Sequence, residues 1–459
     1  MTPPGLPTSP STASTASTAS TALLTDRYEL TMIDAALADG TAHRPCVFEV
    51  FARRLPAGRR YGVVAGTGRL LEALADFRFG QEEIAYLRGC EIVGERTLEY
   101  LADYRFTGSI SGYAEGELYF PGSPLLVVEA SFVDGVILET LALSILNHDS
   151  AIAAAASRMT VAAGTRPCLE MGSRRAHELA AVAAARAAVV AGFSGTSNLA
   201  AGRRYELPTI GTAAHAFTLL HDDERSAFLS QVASAGPGTT LLVDTYDVEQ
   251  GVITAVDAAG TALGAVRLDS GDLPNLAREV RDQLDGLGAT GTRIVVSSDL
   301  DEYAIAALAV APVDSYGVGT SVVTGSGAPT CGMVYKLVLR EGSDGAMHAV
   351  AKASAGGKNS VGGRKVAGRR IENGLATEEV VVLSPDADLP ALDQIAEVAE
   401  LRPLHVALVT DGEIDHAFTG PEGVRRAAER HASSIAELPR AALRLSAGEA
   451  ALPTEVVTV

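Results

Sequence analysis

Apolar positions first fall into a regular pattern at residue 23. In 23-LLTDRYELTMIDAAL-37, Leu30, Ile33 and Leu37 share one helical stripe, Thr25 or Asp26 precedes it as a cap, and Glu29 sits near the third helical position. A capped amphipathic helix is expected there. Residues 45–130 mix strand-like runs, 46-CVFEVFA-52 and 125-LLVVEA-130, with helical pieces and glycine turns. A long helix is expected over about 134–157, with Ile137, Leu138, Leu141, Ile145 and Ile152 on one face or its border.

Beyond this helix a repeating rhythm sets in. An apolar strand ends, a small or polar turn follows, and a helical segment begins. The turns are 170-EMGSRRA-176, 193-FSGTSN-198, 211-GTAAH-215, 244-DTYD-247, 268-LDSGD-272, 297-SSDLDE-302 and 317-GVGTS-321. Seven such units predict an α/β fold, an irregular (β/α) barrel with a second α+β domain built from the N- and C-terminal parts of the chain. The expected boundaries are a disordered tail over 1–22, an N-terminal α+β part over 23–133, the barrel over 134–328, and a C-terminal part over 329–459 that packs back on the N-terminal domain. The tail reading rests on 11-STASTASTASTA-22, which has nothing to bury. Strands are expected again at 333-MVYKLVLR-340, 348-HAVAKAS-354 and 378-EEVVVL-383, with a glycine- and base-rich turn at 356–370.

Charge narrows the functions open to such a fold. The formal net charge of −19 argues against non-specific contact with nucleic acid or an anionic membrane. The most apolar helical stretch, 176–193, carries Glu178 and Arg186, so no membrane span is expected from it. Cys46, Cys90, Cys168 and Cys331 lie far apart without metal-ligand spacing and read as free thiols of a cytoplasmic protein.

The polar clusters all fall at the carboxyl ends of strands, the face on which parallel α/β proteins bind ligands. His215 in 206-ELPTIGTAAHAF-217 belongs to that set, among residues small enough to let a ligand approach. Gly317, Gly319 and Thr320 offer backbone N–H groups for a phosphate, or form a tight βα loop. Arg267, Asp269 and Asp272 end the next strand back; the arginine suits a carboxylate or phosphate, and the aspartates suit ribose hydroxyls, a magnesium ion or a helix cap. Asp299 is a second candidate for hydroxyl or metal duty, while Asp301 and Glu302 look like first-turn helix acids. Asp244 and Asp247 either orient an imidazole, bind metal through water, or make hydrogen bonds between helices. Arg174 and Arg175 bring positive charge to an acidic chain. Phe193 and Tyr28 are either core residues or platforms for a flat ring.

Taken in order, LLTDRYELTM, LEMGSRRA, GFSGTSNLA, GTAAHAF, VRLDSGDL, SSDLDE, GVGTSVVT and 331-CGMVYKLV-338 closely resemble the nicotinate phosphoribosyltransferases, of the type II phosphoribosyltransferases, over residues 23–385. The resemblance implies a homodimer with active sites shared between subunits. It implies formation of nicotinate mononucleotide and pyrophosphate from nicotinate and 5-phosphoribosyl 1-pyrophosphate, with Mg2+, driven by ATP through a phosphohistidine. On that basis His215 takes the phosphoryl group, Thr212 and Arg267 bind nicotinate, and Gly319 with Thr320 holds the ribose phosphate. Asp269 and Asp299 face ribose hydroxyls or metal, Arg174 adds charge for phosphate, and Phe193 and Tyr28 sandwich the pyridine ring, Tyr28 from the partner subunit. The basic segment 356-GGKNSVGGRKV-366 departs from the family pattern in lacking a proline before its second glycine. A nicotinamide- or quinolinate-specific relative, and a non-catalytic barrel that binds a phosphorylated metabolite, are the alternatives.

Overall fold

The computed structural model describes residues 20–352, 360–385 and 400–459. Six short strands, Cys168–Glu170, Gly195–Thr196, Thr240–Leu242, Ala265–Leu268, Arg293–Ser298 and Ser315–Val318, form one parallel sheet. The first and last of these in the chain pair side by side, Tyr316 against Cys168 and Val318 against Glu170. From there the sheet runs one way through Arg293–Ser298 and Ala265–Leu268 to Thr240–Leu242, and the other way to Gly195–Thr196. The seventh expected strand, before GTAAH, is reduced to a single bridge between Thr209 and Thr196. Pro208 has no N–H to give a ladder. Thr196 is held instead by the Pro208 carbonyl and the Ile210 N–H. No ladder joins this bridge to Thr240–Leu242, so the hydrogen bonds describe an open arc.

Strand alternation decides what the arc encloses. Cys168, Val266, Leu268, Ile294, Val296, Tyr316 and Val318 point into an apolar core with the surrounding helices. The opposite row, with Leu169, Ala265, Arg267, Val295, Ser297, Ser315 and Gly317, lines a cavity of about 950 Å3. Parallel barrels ordinarily fill that interior with large branched side chains. In this sheet the alanine, serine and glycine at Ala265, Ser297, Ser315 and Gly317 leave room on that face.

The remainder of the chain builds around this unit. A seven-stranded antiparallel sheet places Pro45–Ala52 between Met333–Glu341 and Leu126–Ser131, and continues through Ser109–Tyr113 to His405–Thr410. Strands from both chain ends therefore share one sheet. The expected long helix is present as Phe132–Val136 and Glu139–Ala163, and Ile137, Leu138, Leu141, Ile145 and Ile152 are all buried. The Phe132–Ala163 run is apolar and long enough to cross a membrane by composition, with 67% of its most apolar window buried inside the protein.

Several local expectations need correction. Asp26 occupies the cap position of the Arg27–Asp39 helix but makes no side-chain cap bond. Glu29 does not close a capping box; it is fully buried and accepts from the Thr140 N–H at 2.8 Å, capping the long helix instead. Glu302 does stand in the first turn of its helix as expected, but it is 2% exposed and pairs with both Arg59 and Arg158. The basic turn expected over 356–370 lies partly outside the described residues, and its remainder is largely the strand Arg364–Glu372. Residues 1–19 of the expected tail also lie outside the described residues. Ser20 and Thr21 bond to the backbone of Arg78, Asp76 and Ala73, and Ala22 is fully buried.

Candidate active site

The cavity runs along the strands, from Pro167, Thr240, Ala265, Arg293 and Asp314 where they begin to the turns where they end. Arg174, Thr212, Arg267, Asp269, Asp299, Gly319 and Thr320 line it together. Arg267 projects inward from its strand, and burial pulls its guanidinium below the usual arginine range while Asp269 and Asp244 pull the other way. Its Nε is buried without a hydrogen-bond partner in the protein, a donor left for an anion. Asp269 Oδ1 accepts from Ser297 Oγ at 2.5 Å, which fixes one oxygen and leaves Oδ2 facing His215.

His215 is the first residue of the His215–Leu220 helix, with its side chain 39% exposed. Nδ1 lies 3.1 Å from Thr245 Oγ1. Nε2 lies 3.9 Å from both Asp244 Oδ1 and Asp269 Oδ2, within ion-pair reach of each and hydrogen-bonded to neither. Asp244 Oδ2 accepts from the Asp269 N–H and the Ser270 hydroxyl, while its buried Oδ1 has no partner. An orphaned carboxylate oxygen facing a half-exposed imidazole is poised for a group between them. Asp247 and Asp272 have other work, as N-caps of the Val248–Ala259 and Leu273–Gly286 helices.

The aromatics lie elsewhere. Phe193 is 3% exposed in the core behind the sheet and is not on the cavity lining. Tyr28 lies on the N-terminal helix, 44% exposed and off the lining, its hydroxyl pushed up to about 12 chiefly by burial and then by Glu139. Met171 does line the cavity, against Gly317, where an added Cβ would sit 2.8 Å from its sulfur. Sequence reasoning missed Met171, Ser297 and Thr245. Their signal was position alone, within three residues of a strand's carboxyl end, and many bystanders share it.

Arginines, hydroxyls, glycines and carboxylates converge on one face of the parallel sheet, a set of groups suited to a phosphorylated small molecule. The comparisons give that class a family. A sequence model of the nicotinate phosphoribosyltransferase (NAPRTase) N-terminal domain matches residues 23–147. The chain is 57% identical over 444 residues to nicotinate phosphoribosyltransferase pncB1 of Mycobacterium tuberculosis, covering 95% of each. It is 40% identical over 343 residues to the Bacillus subtilis nicotinate phosphoribosyltransferase, covering 73% of this chain and 70% of that one. Among solved structures, human nicotinic acid phosphoribosyltransferase superposes with a TM-score of 0.76 at 24% identity over 95% of this chain and 97% of that one. Nicotinate-nucleotide pyrophosphorylase from Pyrococcus furiosus superposes with a TM-score of 0.71 at 26% identity over 90% and 95%. The chain belongs to the nicotinate phosphoribosyltransferase family.

Proposed function

We propose that this chain transfers the phosphoribosyl group of 5-phosphoribosyl 1-pyrophosphate to nicotinate, giving nicotinate mononucleotide and pyrophosphate for NAD biosynthesis, with ATP hydrolysis coupled through His215. The observation that best supports this is the meeting of Arg174, Arg267, Asp269, Asp299, Thr212 and the Gly319–Thr320 turn on one cavity beside an imidazole with a free nitrogen. The pyridine nitrogen attacks the anomeric carbon as the bond to pyrophosphate breaks, and pyrophosphate leaves with the electron pair. The sugar passes through oxocarbenium character, so placed negative charge such as Asp269 matters more than a strong protein nucleophile. Arg267 and Thr212 hold the nicotinate carboxylate, and this disfavours uncharged nicotinamide.

For ATP coupling, Nδ1–H donates to Thr245 and the lone pair on Nε2 takes the γ-phosphoryl group as ADP departs. Two carboxylates 3.9 Å away disfavour a lasting phosphoryl group there, which suits an intermediate meant to be spent in turnover. Among the described residues no group of three or more His, Cys, Asp or Glu forms a metal cage. Asp269 and Asp299 would instead hold magnesium brought by the substrate phosphates, and the ion would offset the charge that develops on departing pyrophosphate. The parallel arc is read as an irregular barrel. The four free cysteines suit a cytoplasmic setting.

Incubation with γ-labelled ATP tests the coupling. Wild type is expected to carry acid-labile, base-stable label, and His215→Ala none. Unlabelled wild type that still makes nucleotide would remove the coupling and leave the transferase.

A further inference from the structure

In the outward row of the parallel sheet the side chains are apolar: Cys168, Leu268, Val296 and Val318. Glu170 interrupts that row. It pairs in register with Val318 on one side and Thr196 on the other, and it is fully buried. A buried carboxylate costs several kcal/mol of lost hydration unless strong partners replace the water. Glu170 has no cation among the groups that act on it; burial raises its pKa, and only hydrogen bonds from Thr196 and Gly172 oppose that. A valine would fit the core better, so the carboxylate has to be explained by those two bonds.

Both bonds lead to turns at the cavity. Oε1 accepts from the Gly172 N–H and Oε2 accepts from Thr196 Oγ1. Thr196 Oγ1 in turn accepts from the Asn198 N–H at 2.9 Å, and Asn198 Nδ2 donates to Ser173 Oγ at 3.0 Å. The Glu170 carbonyl accepts from the Ser197 N–H at 2.8 Å. Gly172 also lies so close to the Gly319 turn that an added Cβ would sit 2.2 Å from Val323 Cγ1 and 2.9 Å from the Gly319 carbonyl oxygen. Arg174, Ser197 and Gly319 line the cavity from these same turns.

We propose that Glu170 is a positioning residue: its buried carboxylate clamps the Gly172–Arg175 turn to the Thr196–Asn198 turn, and so sets where Arg174 and Ser197 meet a phosphate-bearing substrate. The substrate named here rests on the function proposed above. Glu170 touches no reacting atom; it acts through Gly172 and Thr196. A misplacement near 1 Å costs on the order of a hundredfold in a site of this kind.

The test compares wild type, Glu170→Ala, Glu170→Gln and Thr196→Val in two ways. One is calorimetric binding of inorganic pyrophosphate, and the other is the KM for 5-phosphoribosyl 1-pyrophosphate set against kcat. Glutamine keeps an acceptor for Gly172 and turns a donor toward Thr196, so it is expected to rescue the clamp. Glu170→Ala should weaken pyrophosphate binding and raise KM by about ten- to a hundredfold, with Glu170→Gln within about threefold of wild type. Thr196→Val should move the same way by a smaller factor, and it carries the test if the alanine variant does not fold. Equal pyrophosphate affinity in wild type, Glu170→Ala and Thr196→Val would overturn the proposal, as would a glutamine variant as damaged as the alanine one or a wild type that binds no pyrophosphate. A wild type that shows the expected binding series yet makes no nucleotide would sink the proposed reaction while leaving the clamp standing.

Discussion

Asp244 commits one oxygen to the backbone of Asp269 and leaves the other bare in front of His215. Asp244→Asn can keep the first contact through its carbonyl oxygen while an uncharged NH2 donor replaces the carboxylate oxygen facing the ring. A fall in kcat of about a hundredfold is expected, the scale of lost acid–base or electrostatic help, with little change in thermal stability. Steady-state rates with saturating ATP check this, and an unchanged kcat would take Asp244 out of the mechanism. The two residues were unequally legible in the sequence. GTAAH marks its histidine by bareness, a local property. Asp244 and Asp247 are indistinguishable as letters in DTYD, and only packing shows that one caps a helix while the other faces the imidazole. Phe193 shows the same limit from the other side. The stretch read as a turn after a strand contains the strand itself, Gly195–Thr196, so Phe193 precedes that strand rather than ending one and packs in the core.

At the scale of elements, buried charges tie the pieces together. Glu29 links the N-terminal helix to the long helix, with one oxygen on Thr140 and the other buried and unpaired. Burial pushes its carboxyl up to about 7, with Glu139 and Asp26 adding to the rise. A folded-state pKa above the unfolded one means that its stabilising contribution is present below about pH 4 and fades as pH rises through 7. Glu29→Gln should therefore gain stability relative to wild type between pH 5 and pH 8, by about 2 kcal/mol at most. Paired melting curves at the two pH values check the sign, and a gap that shrinks toward pH 8 contradicts it. Arg369 is a second tie, fully buried between Glu117 at 2.9 Å and Glu379 at 2.8 Å. Arg369→Met leaves two buried carboxylates short of a partner, and a loss of about 3–5 kcal/mol is expected in denaturant unfolding. A loss below about 1 kcal/mol would mean that the network relaxes or hydrates. Most strands and the long helix were legible because periodicity is local. The basic segment was not: Lys365 and Arg369 find their acids, Glu49 and Glu117, hundreds of residues away, and a run of bases and glycines reads as a loop until those partners are placed.

For the whole molecule, the exposed apolar side chains are informative by position. Leu179, Leu199, Leu219, Leu220 and Tyr246 are all more than 60% exposed and lie on segments that follow the parallel strands in the chain. With Leu23, Leu24 and Tyr28 of the N-terminal region also exposed, these surfaces fit the homodimer proposed for the family resemblance. Sedimentation should give twice the 47.4 kDa chain mass, and Leu220→Glu should shift the equilibrium toward monomer; a wild-type monomer at micromolar concentration contradicts the shared site. The cavity was legible only in part. The order of motifs announced the site, whereas the small inward row of Ala265, Ser297, Ser315 and Gly317 acquired meaning once strand register was known. The central claim is the reaction itself. The most direct measurement is product analysis after purified protein is incubated with 5-phosphoribosyl 1-pyrophosphate, magnesium and ATP, and with nicotinate, nicotinamide or quinolinate in turn. Nicotinate mononucleotide and pyrophosphate are expected from nicotinate, with ADP formed alongside and little or no nucleotide from the other two. Nucleotide from nicotinamide or quinolinate but not from nicotinate, or no nucleotide at all, would contradict that claim.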